Sequence, residues 1–227
     1  KMSRLAKSYR GFSDKSSSKL DKFSEKENYA LELFNLGKFV EAEAIYRQLL
    51  AERTRSHTVF GNLAILCGMR GNKAEMITLL KKAITIKPDY AEGYHNLGIA
   101  LKEQGNFNGA IASYQQAIKI NPNHTDSYNN LGNVFKEQGN FNGAIASYQQ
   151  AIKINPTYIE GYFNFANTLK AQGSINASII FYKKALDLKP NFKYYEPHDF
   201  HKMEKTDPKK HTSLLHTNIC SLNANID

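Results

Sequence analysis

Apolar residues return every three to four positions along most of this chain. In residues 91–124 the stripe Tyr94, Leu97, Gly98 and Leu101 predicts an amphipathic helix. A second stripe of Phe107, Ala110, Ile111, Tyr114, Ala117 and Ile118 predicts another. Between them Gly105 suits a left-handed C-cap and Asn106 the N-cap of the next helix. Asn121-Pro122 ends the second helix, because proline disfavours helical backbone in the residue before it. Gly98, Ala110 and Ala117 bring little bulk where two helices must approach closely. Gly109 and Gly143 should each cost a second helix about 1 kcal/mol relative to alanine.

The helix pair recurs. Residues 102–122 read KEQGNFNGAIASYQQAIKINP, and residues 136–156 repeat them letter for letter, 34 positions on. The same frame covers 57–90 and 159–192, and a degraded copy covers 23–56. One such pair cannot bury its apolar stripes alone, so copies must stack. The expected fold is all-α, a solenoid of about five helix pairs over residues 23–192, with a disordered basic leader at 1–22 and an irregular tail at 193–227.

These residues resemble the tetratricopeptide repeat (TPR) family, whose pattern is an aromatic, Leu-Gly, an aromatic, Gly, Ala, an aromatic, Ala and Pro. Tyr128, Leu131, Gly132, Phe135, Gly139, Ala144, Tyr148, Ala151 and Pro156 match it throughout. In the preceding repeat Tyr94, Leu97, Gly98, Gly105, Ala110, Tyr114, Ala117 and Pro122 match, with Leu101 for the second aromatic. In the last, Ala166 and Ser178 replace a Gly and an Ala. The copy at 57–90 carries Ala64, Cys67, Met76 and Leu80 at signature sites, and Thr54 stands where the first copy should have proline. The resemblance implies a right-handed superhelix with a concave groove that binds extended peptides.

The first helix of each pair has a second stripe, opposite the packed one. It reads Glu92, His95, Asn96, Ile99, Lys102 and Glu103, then Asp126, Asn129, Asn130, Asn133, Lys136 and Glu137, then Glu160, Phe163, Asn164, Asn167 and Lys170. In TPR proteins this stripe lines the groove. Asn62, Asn96, Asn130 and Asn164 place one amide per repeat in register. An amide offers two donors and an acceptor, so such a ladder can hold a peptide backbone whatever its side chains. The repeats resemble in this the TPR region of O-GlcNAc transferases. A second reading stays open, in which the asparagines solvate an exposed face or make contacts between helices. The TPR mode that holds acidic chaperone C-termini uses a lysine and an asparagine one turn apart. The matching positions here are Gly61 and Ile65, then His95 and Ile99, with no cation to pair a carboxylate.

Other chemistry is sparse. No Gly-rich phosphate loop, zincin or nucleophile-elbow motif occurs, and no catalytic, metal-ligating or cofactor-binding residue is expected. His198 and His201 beside Asp199 have metal-like spacing, but Pro197 argues against the helix that would align them. Cys67 sits on a packed stripe and reads as a small core residue. With only Cys67 and Cys220, a disulfide framework is excluded and a reducing cytoplasm fits. Of the net charge of +9, residues 1–26 hold +5 and residues 191–227 none. The excess is therefore largely that of the leader, and neither nucleic acid nor a membrane is the expected partner. No apolar run reaches the roughly 18 residues a membrane span needs.

After Pro190 the repeat pattern fails, because Glu196 and Pro197 fall where a helix should continue. Phe192, Tyr194, Tyr195 and Phe200 are expected to fold over Ile179, Tyr182 and Leu186 and cap the stack. Residues 211–227 resemble the opening strand of the endonuclease domain of non-LTR retrotransposons, in which the asparagine matching Asn218 lies at the metal site. The stretch holds neither an acidic metal ligand nor a catalytic histidine of that family at a matching position, so no activity is expected from it. The expected function is a non-catalytic, cytoplasmic interaction scaffold for a protein or peptide, without a small-molecule substrate. The alternative comes from likeness to bacterial multi-TPR proteins that carry C-terminal glycosyltransferase or sulfotransferase modules. In that case the chain is the substrate-recognition region of a larger enzyme.

Overall fold

The computed structural model describes residues 22–189. The leader, the expected cap at Phe192, Tyr194, Tyr195 and Phe200, the His198/His201 pair, Cys220 and the endonuclease-like stretch with Asn218 lie outside the described residues. The described chain is all-α. Residues 22–35 form α1. There follow α2 (Phe39–Ala51), α3 (His57–Met69), α4 (Lys73–Ile86), α5 (Ala91–Glu103) and α6 (Phe107–Ile120). Then come α7 (Thr125–Glu137), α8 (Phe141–Ile154), α9 (Ile159–Ala171) and α10 (Ile175–Leu188).

The turns within each pair obey the local signals. Gly37, Gly71, Gly105, Gly139 and Gly173 all adopt positive φ, between 74° and 87°. After α5 the Gly105 N–H donates to the Lys102 carbonyl at 2.8 Å and the Asn106 N–H to the Leu101 carbonyl at 2.9 Å, closing a Schellman-type stop. Asn106 Oδ1 then accepts from the Gly109 N–H at 3.0 Å and starts α6. Asn140 does the same for α8 at 3.0 Å. Asn121 and Asn155, each before a proline, are extended and end α6 and α8. Gly109 and Gly143 have a use that periodicity does not show. A methyl at Gly143 would lie 2.7 Å from Nδ2 of Asn140, so the glycine makes room for the cap.

Packing follows the predicted stripes. A methyl at Gly98 would stand 2.6 Å from the ring of Tyr114, and one at Gly132 equally close to Tyr148. Ala110, Tyr114, Ala117, Ala144, Tyr148 and Ala151 are fully buried. Cys67 is a free, buried thiol in the core of the second repeat, packed with Leu63, Leu66 and Leu80. None of the described helices is long and apolar enough to cross a membrane.

The described residues group into two compact units, divided between Pro122 and Asn123. In the first, α3 pairs with α4 and α5 with α6, and successive pairs join through α2 on α3 and α4 on α5. In the second, α7 pairs with α8 and α9 with α10, joined by α8 on α9. First helices of successive pairs also touch, α3 with α5 in one unit and α7 with α9 in the other. They thus form the inner layer of each stack.

Candidate functional site

The second stripe of α3, α5, α7 and α9 lies on this inner layer. Its ends are set by helix electrostatics: Glu92, Asp126 and Glu160 stand in first turns, and Lys102, Lys136 and Lys170 in last turns. Each sign complements the partial charge of its helix terminus. Glu92, Asp126, Glu160 and Lys170 are exposed, while Lys102 and Lys136 are half-buried.

In the first unit Asn62, His95, Asn96 and Ile99 are half-buried. Asn62 Nδ2 donates to the Tyr46 hydroxyl oxygen of α2 at 3.0 Å. His95 lies with its ring 5.7 Å from that of Tyr114. In the second unit Asn130, Asn133, Phe163, Asn164 and Asn167 are half-buried, and Asn129 is buried. Asn164 Nδ2 donates to Asn129 Oδ1 at 3.0 Å, a bond between α9 and α7. The Tyr148 hydroxyl donates to Asn133 Oδ1 at 2.8 Å, and the Tyr182 hydroxyl to Asn167 Oδ1 at 2.6 Å. Tyr158 donates to Asp126 Oδ1 at 2.8 Å. Burial, then the Asp126 carboxylate, pushes the Tyr158 hydroxyl above its ordinary range and keeps it protonated. Phe163 meets Tyr182 edge to face, ring centres 5.6 Å apart.

Two of the four register amides serve contacts between helices. Asn62 and Asn164 spend an N–H on another helix. Asn96 and Asn130 make no side-chain hydrogen bond among the described residues. Subtracting the 34-residue period once more from Asn62 gives Asn28, exposed on α1, a fifth amide in register. It escaped the sequence reading because the first copy is degraded around it. Three positions beyond each register amide the chemistry changes along the chain. Leu31, Ile65 and Ile99 occupy that place in the first unit, and Asn133 and Asn167 in the second. The tyrosine hydroxyls were also missed, since Tyr46, Tyr148 and Tyr182 read as core rings. Among the described residues no group of three or more His, Cys, Asp or Glu side chains stands close enough to hold a metal ion.

Paired helices with glycine stops, stacked through small residues and buried tyrosines, define an α-helical repeat protein. Family models described as "TPR repeat" match residues 70–105, 100–139 and 132–173, and one described as "Tetratricopeptide repeat" matches 159–192. Together they span more than half of the chain, which belongs to the tetratricopeptide repeat family. No curated protein sequence matches it. Among solved structures it is similar to MamA, with 25% identity and a TM-score of 0.65 over 77% of this chain and 95% of that one. A MamA fragment from Desulfovibrio magneticus RS-1 is 14% identical with a TM-score of 0.68, covering 76% of this chain and 98% of that one. YrrB, described as a TPR protein with an unusual peptide-binding site, is 18% identical with a TM-score of 0.63, covering 80% of this chain and 91% of that one. The last two likenesses show the fold alone.

Proposed function

We propose that this chain is a non-catalytic, cytoplasmic interaction scaffold that binds an extended peptide of a partner protein on the inner faces of its helix stacks. The observation that carries this reading is the asparagine register. Asn96 and Asn130 stand half-buried at equivalent positions on α5 and α7, and their amides are left for a ligand by the described residues. A half-buried amide without a protein partner is a ready site for the carbonyl and N–H groups of an extended backbone. Asn164 would exchange its bond to Asn129 for one to the ligand. Lys102, Lys136 and Lys170 favour acidic neighbours of the bound segment, and Phe163 supplies an apolar contact. The free thiol of Cys67 fits a reducing compartment.

The test is an array of random 12-residue peptides, probed with the intact chain. The tightest peptide is then titrated into the triple variant Asn96→Ala, Asn130→Ala, Asn164→Ala. Each lost bond should weaken binding by about 0.5–1.5 kcal/mol. Unchanged affinity in the triple variant would reject the ladder.

A further inference from the structure

The groups that orient the inner-face amides are themselves buried. Tyr148 and Tyr182 stand 15 residues after Asn133 and Asn167, on the second helices of the same pairs. Tyr148 is fully buried and Tyr182 nearly so. Burial pushes the Tyr148 hydroxyl above its ordinary range, so it keeps a proton that it can donate. A buried hydroxyl whose proton finds no acceptor loses the full desolvation cost of that donor. The amide carbonyl satisfies it and the amide NH2 cannot. In these two pairs the hydroxyl donates, which favours the amide orientation with Oδ1 inward on the tyrosine. The NH2 groups of Asn133 and Asn167 make no hydrogen bond among the described residues.

We propose that Tyr148 and Tyr182 are positioning residues, whose hydroxyls hold Asn133 and Asn167 with their NH2 groups toward the ligand, so that this face of residues 123–189 reads hydrogen-bond acceptors, the carbonyl groups of an extended chain. The inference rests on the peptide-binding reading above and adds the polarity of the contact. The chain contains its own contrasts. At the corresponding place in the first unit Tyr114 stands 15 residues after Ile99, which carries no amide to orient. Tyr46 meets Asn62 with the polarity reversed, accepting from Nδ2.

The probe is the tightest peptide from the array, titrated into variants of the intact chain. The double variant Tyr148→Phe, Tyr182→Phe keeps both rings and should bind about five-fold more weakly. Tyr114→Phe should bind as the parent does. Asn133→Asp with Asn167→Asp keeps an oxygen for each tyrosine and removes the NH2 donors, and should bind at least ten-fold more weakly. Its thermal melt, and that of the tyrosine variants, reports folding separately. Parent-like affinity in the double tyrosine variant, or an equal loss in Tyr114→Phe, overturns the positioning role. Parent-like affinity in the aspartate variant overturns the donor polarity. If the parent binds no peptide of the array, the reading of the inner face falls and this inference falls with it. A loss in both double variants with the parent binding supports it.

Discussion

At the scale of the residue, the glycines of the second helices show how one position serves two opposed demands. Alanine at 143 would gain about 1 kcal/mol of helix propensity. Its methyl would meet the Asn140 amide at 2.7 Å and the Phe135 ring at 3.1 Å. Loss of the Asn140 cap costs about 1 kcal/mol. The two effects are of similar size, so Gly143→Ala should leave stability within about 0.5 kcal/mol of the parent. Asn140→Ala alone should lose about 1 kcal/mol. In that background Gly143→Ala should recover most of the loss, because no cap remains to displace. A double-mutant cycle by urea unfolding gives the coupling, and strictly additive effects would contradict the shared space. Gly139 is a different case: its φ of 75° makes alanine there a net loss of about 1 kcal/mol or more.

At the scale of the element, the first repeats replace missing family residues with charge. Arg47 of α2 donates to Glu43 at 2.7 Å and reaches Glu75 of α4 with both terminal nitrogens, at 2.8 Å and 3.2 Å. Arg70, just after α3, also pairs with Glu43, whose side chain is largely buried. Glu75 receives the Asn72 amide at 2.9 Å, while Asn72 caps its N–H. Four side chains thereby tie α2 to both helices of the next pair. Arg47→Met should cost about 1–2 kcal/mol, more than an isolated surface pair, because Glu43 loses one of two partners. The Arg47 hydrogen bonds hold the Glu75 carboxyl below the ordinary glutamate range. A carboxylate lowered on folding stabilises at every pH above its unfolded value and ceases to do so as pH falls through its folded value. The gap between parent and Arg47→Met in urea melts should therefore be full at neutral pH and close only below the ordinary glutamate range. A gap that is constant down to acid denaturation would mean that Arg47 acts by packing alone.

These elements also separate what the chain displays from what it conceals. The Gly105-Asn106 and Gly139-Asn140 junctions are legible because a cap is settled within six residues of backbone. The buried Tyr114 and Tyr148 are legible from period alone. The Arg47–Glu75 bond joins residues 28 apart in two degraded copies, and the Asn164–Asn129 bond joins residues 35 apart. Neither follows from a stripe, since each depends on the angle at which two helices meet. The candidate site was legible as a column of amides. Which atom of each amide is already spent was not, because that is decided by hydroxyls on the neighbouring helix.

At the scale of the whole molecule, a stack of repeats is only as cooperative as its interfaces. Tyr29 of α1 occupies the register of Leu63, Leu97, Leu131 and Phe165. Those four are 0–8% exposed, and Tyr29 is 56% exposed. The described residues therefore leave a core position of α1 in solvent, and no glycine–asparagine junction starts α2, whose N-cap Lys38 makes no side-chain bond. Within the second unit, α7 and α8 have side-chain caps from His124 and Asn140, whereas Tyr158 and Ser174 give α9 and α10 none. Each missing cap costs about 1 kcal/mol, enough to bias which end opens first when neighbouring repeats are otherwise alike. Amide hydrogen exchange of the intact chain should show α1 and α2 exchanging before α5 and α6 in the first unit. In the second, α9 and α10 should exchange before α7 and α8. Replacing Lys38 by Asn should slow exchange across α2 and leave α7 and α8 unchanged. Uniform protection across all ten described helices, or an effect of Lys38→Asn that reaches α8 undiminished, would show one global cooperative unit in place of a stack that opens from its weaker pairs.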